Sequence, residues 1–131
     1  SLGYLAERAN LKGFAFEYMT DGVVVVLGDP GPWICSGMTG GTVFCRLEPN
    51  MGLDREALRR RIARGAHVEI RDLEEEDTAV LEELLLQYHW ELLHSHQDEE
   101  ADWVEGVVAR CRGGFVKIVA VAAPAPVPSD E

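Results

Sequence analysis

The fold class this sequence predicts is mainly β with a C-terminal α part: a short parallel β-helix of about 19-residue coils, followed by two or three helices. Three observations predict it. Met19-Thr20-Asp21-Gly22-Val23-Val24-Val25-Val26-Leu27 recurs as Met38-Thr39-Gly40-Gly41-Thr42-Val43-Phe44-Cys45-Arg46, an offset of 19 residues that sets Gly22 over Gly41. The same 19-residue step back from Gly22 reaches Gly3, which opens Gly3-Tyr4-Leu5-Ala6-Glu7. A second apolar run keeps the step, with Phe14-Ala15-Phe16 falling over Trp33-Ile34-Cys35. Fixed-period repetition near 20 residues is the mark of a stacked architecture.

Each repeat carries a Gly, a short β-branched or aromatic run, a turn and a second short run. Val, Ile and Phe suit a pleated, half-buried surface, and Gly turns a corner at positive φ without a Cβ clash. One unit buries nothing alone. Stacked about 4.8 Å apart, like positions would form ladders: Gly on Gly, Val24 on Val43, Met19 on Met38. An antiparallel meander gives no reason for Met-Thr-x-Gly to recur in the same direction.

In chain order, residues 1–50 are expected to form the coils and 51–119 a helical extension of the same domain. Gly28-Asp29-Pro30-Gly31-Pro32 is dense in breakers and predicts a loop within one coil. Glu48-Pro49-Asn50-Met51-Gly52 ends the repeat. Asp54 predicts the N-cap of a helix through Arg64, with Leu58 and Ile62 on one face and Gly65 as its stop. Val68-Glu69-Ile70 predicts a short extended piece, and the acidic run 72–77 suits a helix N-terminus, where the macrodipole favours negative charge. The next helix is expected over 74–95, from Leu81, Leu85, Tyr88 and Leu92 at helical spacing. A further helix is expected over 98–112, presenting Ala101, Val104, Val108 and Cys111 and broken by Gly113-Gly114. Phe115-Val116-Lys117-Ile118-Val119 predicts a last strand. Residues 120–131, rich in Ala and Pro and closing on acid, predict a mobile tail.

Length and composition narrow the partners. A chain of 131 residues makes about one domain. A formal net charge of −11 repels phosphate backbones and anionic membrane surfaces. Arg59-Arg60-Arg61 with Arg64 is the one basic cluster, and it is expected on a solvated helix face. No apolar run reaches the roughly 18 residues of a membrane span, and no basic-then-apolar leader opens the chain. The abrupt start at Ser1 predicts that an upstream part is missing. Cys35, Cys45 and Cys111 show no paired spacing, so buried, reduced thiols in the cytoplasm are expected.

The chemistry-bearing candidates each have a structural explanation. Gly37-Met38-Thr39-Gly40-Gly41 could cradle an anion, but no Lys-Ser/Thr pair follows and G-x-G-x-x-G is absent. Corner glycines account for it. His89 and His94 are five apart and His94 and His96 two apart, and neither spacing shares a helix face. The H-E-x-x-H zinc pattern is also missed. Ser36, Thr39 and Ser95 have no evident base. No catalytic, cofactor-binding or metal-ligating residue is therefore expected. The structural positions expected are the corner glycines Gly3, Gly22, Gly37, Gly40 and Gly41 and the coil core Met19, Val24, Met38 and Val43.

Glu17-Tyr18-Met19-Thr20-Asp21-Gly22-Val23-Val24-Val25-Val26-Leu27-Gly28, followed by Gly37-Met38-Thr39-Gly40-Gly41, resembles the C-terminal GXGXG domain of the glutamate synthase large (alpha) subunit. That family has a Glu-Tyr-Met-Thr-Gly-Gly stretch, a valine-rich run ending in Gly, and a second Gly-Met-Thr/Ser-Gly-Gly. This chain departs at Asp21, where the family usually has Gly, so a looser or differently hydrogen-bonded corner is expected there. The segments 68–70, 73–77 and 115–118 resemble the family's closing part in order and type.

The resemblance implies a right-handed parallel β-helix and a structural role without catalytic residues. The family's domain packs between a glutamine amidotransferase domain and a synthase domain, and FMN and an iron–sulfur cluster are expected in those partner domains, not in this chain. The implied partners are other glutamate synthase domains or subunits. Separately, an open first coil would leave unpaired backbone groups, so Gly3 to Arg8 and the exposed coil face are expected to form an assembly surface, for such partners or for a second copy. The alternative is a stand-alone GXGXG binding module or a formylmethanofuran dehydrogenase-like subunit. The family's domain has more coils upstream, so this chain is expected to be abbreviated or a fragment.

Overall fold

A computed structural model of the chain describes residues 22–122 and the backbone of residues 15–18. Gly3, Met19, the segment from Gly3 to Arg8 and the tail beyond Ala122 lie outside the described residues. The centre is an open five-stranded mixed sheet of β1 (Ala15–Tyr18), β2 (Val23–Val26), β3 (Thr42–Arg46), β4 (Val68–Asp72) and β5 (Phe115–Ala120). Its spatial order is β1-β2-β3-β5-β4. Three helices join it: α1 (Arg55–Arg61), α2 (Glu75–His94) and α3 (Asp98–Ala109).

This corrects the expected parallel β-helix, since no stack of coils is formed among the described residues. Only β2 and β3 run parallel, with Val23 opposite Thr42 and Val24 opposite Val43. On the other side of β2, β1 returns antiparallel, with Tyr18 opposite Val23 and Ala15 opposite Val26. The free side of β3 is taken by β5, again antiparallel, and β5 in turn pairs antiparallel with β4. Ala15 therefore does not stack on Ile34, which instead makes an isolated parallel bridge to Ile62.

The physical reason lies in competition for edges. Tyr18 and Val23 are separated by a segment ending in Asp21-Gly22, and Asp-Gly between extended runs is a strong hairpin signal. Closing so short a loop costs less entropy than carrying β1 across a further coil. At the other edge, the apolar β5 completes the hydrogen bonding of β3. β5 therefore lies between β3 and β4, and the part of the chain after β3 contributes two strands to the sheet.

The sheet is covered on both faces, which explains why all four valines of β2 are buried. Val24, Val26, Val43, Cys45, Val116 and Ile118 point to one face, where Ile34, Cys35 and Met38 of the β2–β3 crossover and Leu58 of α1 meet them. Val23, Val25, Phe44 and Phe115 point to the other, against Leu81, Leu84, Leu85 and Leu92 of α2 and Ala101, Val104 and Val107 of α3.

Local chemistry sets the helix ends. The Asp54 carboxylate accepts from the Ala57 N–H at 2.8 Å, capping α1. The helix stops at Arg61, short of the expected Arg64, because Ile34 N–H donates to Arg61 O and Ala63 N–H donates to Ile34 O, both at 2.9 Å. Those bonds pull the chain out of helical geometry. The start of α2 is a capping box: Glu74 N–H donates to Asp77 Oδ2 at 2.9 Å while the Glu74 side chain accepts from the Asp77 N–H. α3 ends at Ala109, also short of expectation, and Gly113 beyond it lies at φ 79°.

Asp77 Oδ2 also accepts from Lys117 Nζ at 2.6 Å, tying α2 to β5. Burial alone would raise the Asp77 pKa, but the hydrogen bonds from Lys117 and from Glu74 N–H outweigh it and hold the carboxyl below its usual range. A pKa lower in the folded than in the unfolded state contributes stability that is complete above the unfolded value of about 3.9. It is lost as pH falls through the folded value. Asp77→Ala should therefore cost about 1–2 kcal/mol at neutral pH, and the gap to wild type should close on acidification. Urea unfolding at a series of pH values measures both, and a gap that stays constant into acid refutes the linkage.

Candidate functional site

The residues singled out by the repeat meet where β2 and β3 begin. Gly22 has φ 62° and Gly41 φ 82°, and Thr42 N–H donates to Gly22 O at 3.0 Å. A Cβ built on Gly22 would sit 3.6 Å from Gly41 Cα, an ordinary contact. Backbone conformation, not space, is what requires glycine there. Gly37 has φ 71° with open space around it, whereas Gly40 has neither a positive φ nor a close neighbour. Val24 and Val43 are fully buried side by side, and Met38 is buried in the same cluster. Gly22→Ala and Gly37→Ala should each cost about 1–2 kcal/mol, while Gly40→Ala should lie within about 0.5 kcal/mol of wild type. Thermal unfolding of the three variants separates the positions.

The crossover from β2 to β3 passes beside these glycines. Asp29 accepts from Arg61 Nε at 2.6 Å and Nη2 at 2.8 Å, a bidentate pair, and its Oδ1 also accepts from Gly31 N–H. Arg61 is thus anchored, and its pKa is raised by that hydrogen bond. Arg59 pairs with Glu56 at 3.5 Å. Trp33 and Cys35 sit at φ 66° and 64°, left-handed without being glycine. Trp33 is exposed, whereas Ile34 and Cys35 beside it are buried.

None of the three thiols has a nucleophile's environment. Burial pushes Cys35 up to about 12, and Cys45 higher still through burial and the neighbouring Cys35. Cys111 is raised chiefly by burial. A nucleophilic thiol needs the opposite shift. Tyr88, half-buried and donating to Glu100 at 3.1 Å, is raised to about 12 by burial and then by that carboxylate.

The histidines do not converge. His89 Nδ1 is 2.9 Å from Ala101 O and His94 Nδ1 2.8 Å from Trp90 O, so the Nδ1 of each ring is engaged by a separate backbone carbonyl. Among the described residues, no group of His, Cys, Asp and Glu is placed to hold a metal ion. No described helix is long and apolar enough to cross a membrane.

Two surface features are not anticipated by the sequence patterns above. The outer face of α2 carries Leu86, Trp90 and Leu93, which are 45%, 60% and 37% exposed. Their spacing of four and then three residues puts them on one stripe, turned away from the buried Leu81, Leu85 and Leu92. The signal is present in the sequence, hidden because the same helix shows a stronger apolar face. A tilted ring contact with His94, at 5.6 Å between centroids, steadies the Trp90 ring. The second feature is a cleft of about 310 Å³ lined by Arg46, Arg110 and Arg112, where β3, the end of α3 and the Gly113-Gly114 turn meet. Arg46 is distant in sequence from Arg110 and Arg112, and only folding brings it to them.

The model of the GXGXG motif family matches residues 8–120 of the chain. No curated protein and no solved structure matches it.

Proposed function

The chain belongs to the GXGXG motif family, and on that basis we propose that it is a non-catalytic assembly domain or subunit of a glutamate synthase-type oxidoreductase. Family membership is the observation that carries this reading. In such an enzyme the flavin and iron–sulfur chemistry resides in partner domains, and glutamate formation from glutamine would be theirs. This chain would hold those parts in register, in the cytoplasm.

The α2 stripe supports the reading from the side of physics. Three exposed apolar side chains in one row gain about 25 cal/mol per Å² when a partner covers them and removes them from water. Aromatic and aliphatic anchors of this kind are what protein interfaces bury at their centres. Glu82, Glu83 and Glu91 around the row are exposed and favour a partner surface with a basic rim.

Co-purification from the natural source with mass spectrometry tests the proposal. It should return polypeptides or linked domains that carry flavin and an iron–sulfur cluster, while the isolated chain is colourless. Glutamine-dependent glutamate formation should appear only when those partners are supplied. Flavin absorbance from the isolated chain, or recovery of the chain without any synthase polypeptide, overturns it.

A further inference from the structure

The arginine-lined cleft at the foot of β3 and β5 is charged against the trend of the whole molecule. The chain has a net charge of −11, and five of the nine described arginines are matched to a carboxylate: Arg46 to Glu48, Arg55 to Asp72, Arg59 to Glu56, Arg61 to Asp29 and Arg71 to Glu69. Arg110 and Arg112, like Arg60 and Arg64, make no ion pair among the described residues, although 23 acids are available in the sequence. Arg110 and Arg112 line the same cleft as Arg46.

Arg46 is fixed in place from three directions. Its Nη1 donates to Glu48 and to Leu27 O, and its guanidinium lies 5.2 Å from the centroid of the Trp103 ring. Nε and Nη2 are left without a partner among the described residues. Glu48 offsets the Arg46 charge, and no ion pair among the described residues offsets Arg110 or Arg112. A helix C-terminus favours a cation, which accounts for Arg110 by itself. It does not account for Arg46, delivered by a strand, or for Arg112, beyond the helix end. Arg112 also borders the adjoining cleft that holds Asp72, Glu74 and Glu75, yet pairs with none of them.

The geometry points to an oxyanion site: Arg46, Arg110 and Arg112 bind the carboxylate or phosphate group of a small molecule in this cleft. Guanidinium groups suit both, because their forked N–H donors match two oxygens of either anion. A volume of about 310 Å³ takes a small di- or tricarboxylate or a phosphate ester, and the Gly113-Gly114 turn adds no side chain to fill it. The site stands apart from the α2 stripe and does not depend on the assembly reading.

Titration of the ¹⁵N-labelled full chain with citrate and, separately, with inorganic phosphate at matched ionic strength tests it. At least one anion should give saturable shifts centred on the Gly113 and Gly114 amides. Saturation by citrate alone assigns a carboxylate ligand, and by phosphate alone a phosphate ligand. The variant Arg110→Gln/Arg112→Gln should bind at least about tenfold more weakly, from the loss of two charge-assisted contacts. Arg112→Gln alone should weaken binding in the same direction, and Arg60→Gln/Arg64→Gln should bind like wild type. Saturation by neither anion, or undiminished affinity in both cleft variants, overturns the site.

Discussion

Phe44→Ala should destabilise the fold by about 3–5 kcal/mol, a large share of the roughly 5–15 kcal/mol that holds a domain of ordinary stability together. Phe44 is 2% exposed at the middle of β3, the strand with a parallel neighbour on one side and an antiparallel one on the other. Its ring faces the cluster formed by Leu81, Leu85 and Leu92 of α2 and Val104 of α3. Truncation loses the transfer free energy of the ring and leaves a void that two helices and a sheet cannot jointly close. Val80→Ala is the control, because Val80 is exposed on α2 and its loss should fall within about 0.5 kcal/mol. In urea, the midpoint of Phe44→Ala should drop with little change in slope. A loss no larger than that of the control would mean that β3 is not the centre of the sheet.

Trp90→Glu should weaken association with partner domains at least about thirtyfold while leaving the fold intact. The exposed ring lies outside both core clusters, so the unfolding free energy should stay within about 0.5 kcal/mol of wild type. At an interface centred on the α2 stripe, the same change removes the largest anchor and buries a carboxylate without a partner. Hot-spot aromatics are worth about 2 kcal/mol or more, hence at least about thirtyfold in affinity. Co-purification yield and sedimentation of the variant with its partners read the effect directly. Undiminished recovery of partners would clear the stripe of any role, and the assembly contact would have to lie elsewhere on the chain.

Much of the local structure is legible in the residue pattern, and for local reasons. Leu81, Leu85, Tyr88 and Leu92 repeat at helical spacing, and Glu74 with Asp77 forms a cap three residues apart. Asp54 caps α1 through its own side chain. α1 and α3 each end three residues earlier than their patterns imply, and for α1 the bonds that stop it come from Ile34, far away in sequence. The arrangement of strands departs further. A repeat at 19 residues bears on how two segments lie against each other, and β2 and β3 do lie in parallel with Val24 opposite Val43. It is silent on what takes the outer side of each, where Asp21-Gly22 favours a hairpin and β5 offers an apolar strand. The stretch Gly37–Gly41 stands out by composition, whereas the exposed stripe and the arginine cleft do not.

Residue pattern alone is enough for the helices, their caps, the family and the apolar runs that become strands, since most of these depend on residues within a turn or two of one another. The strand order, the burial of both sheet faces and the meeting of Arg46 with Arg110 and Arg112 arise only in the folded chain. Those outcomes rest on segments some 60 residues apart competing for the same hydrogen-bonding edges and the same dry volume. Such competition is settled by the free energy of the whole chain, and no window along it contains the answer.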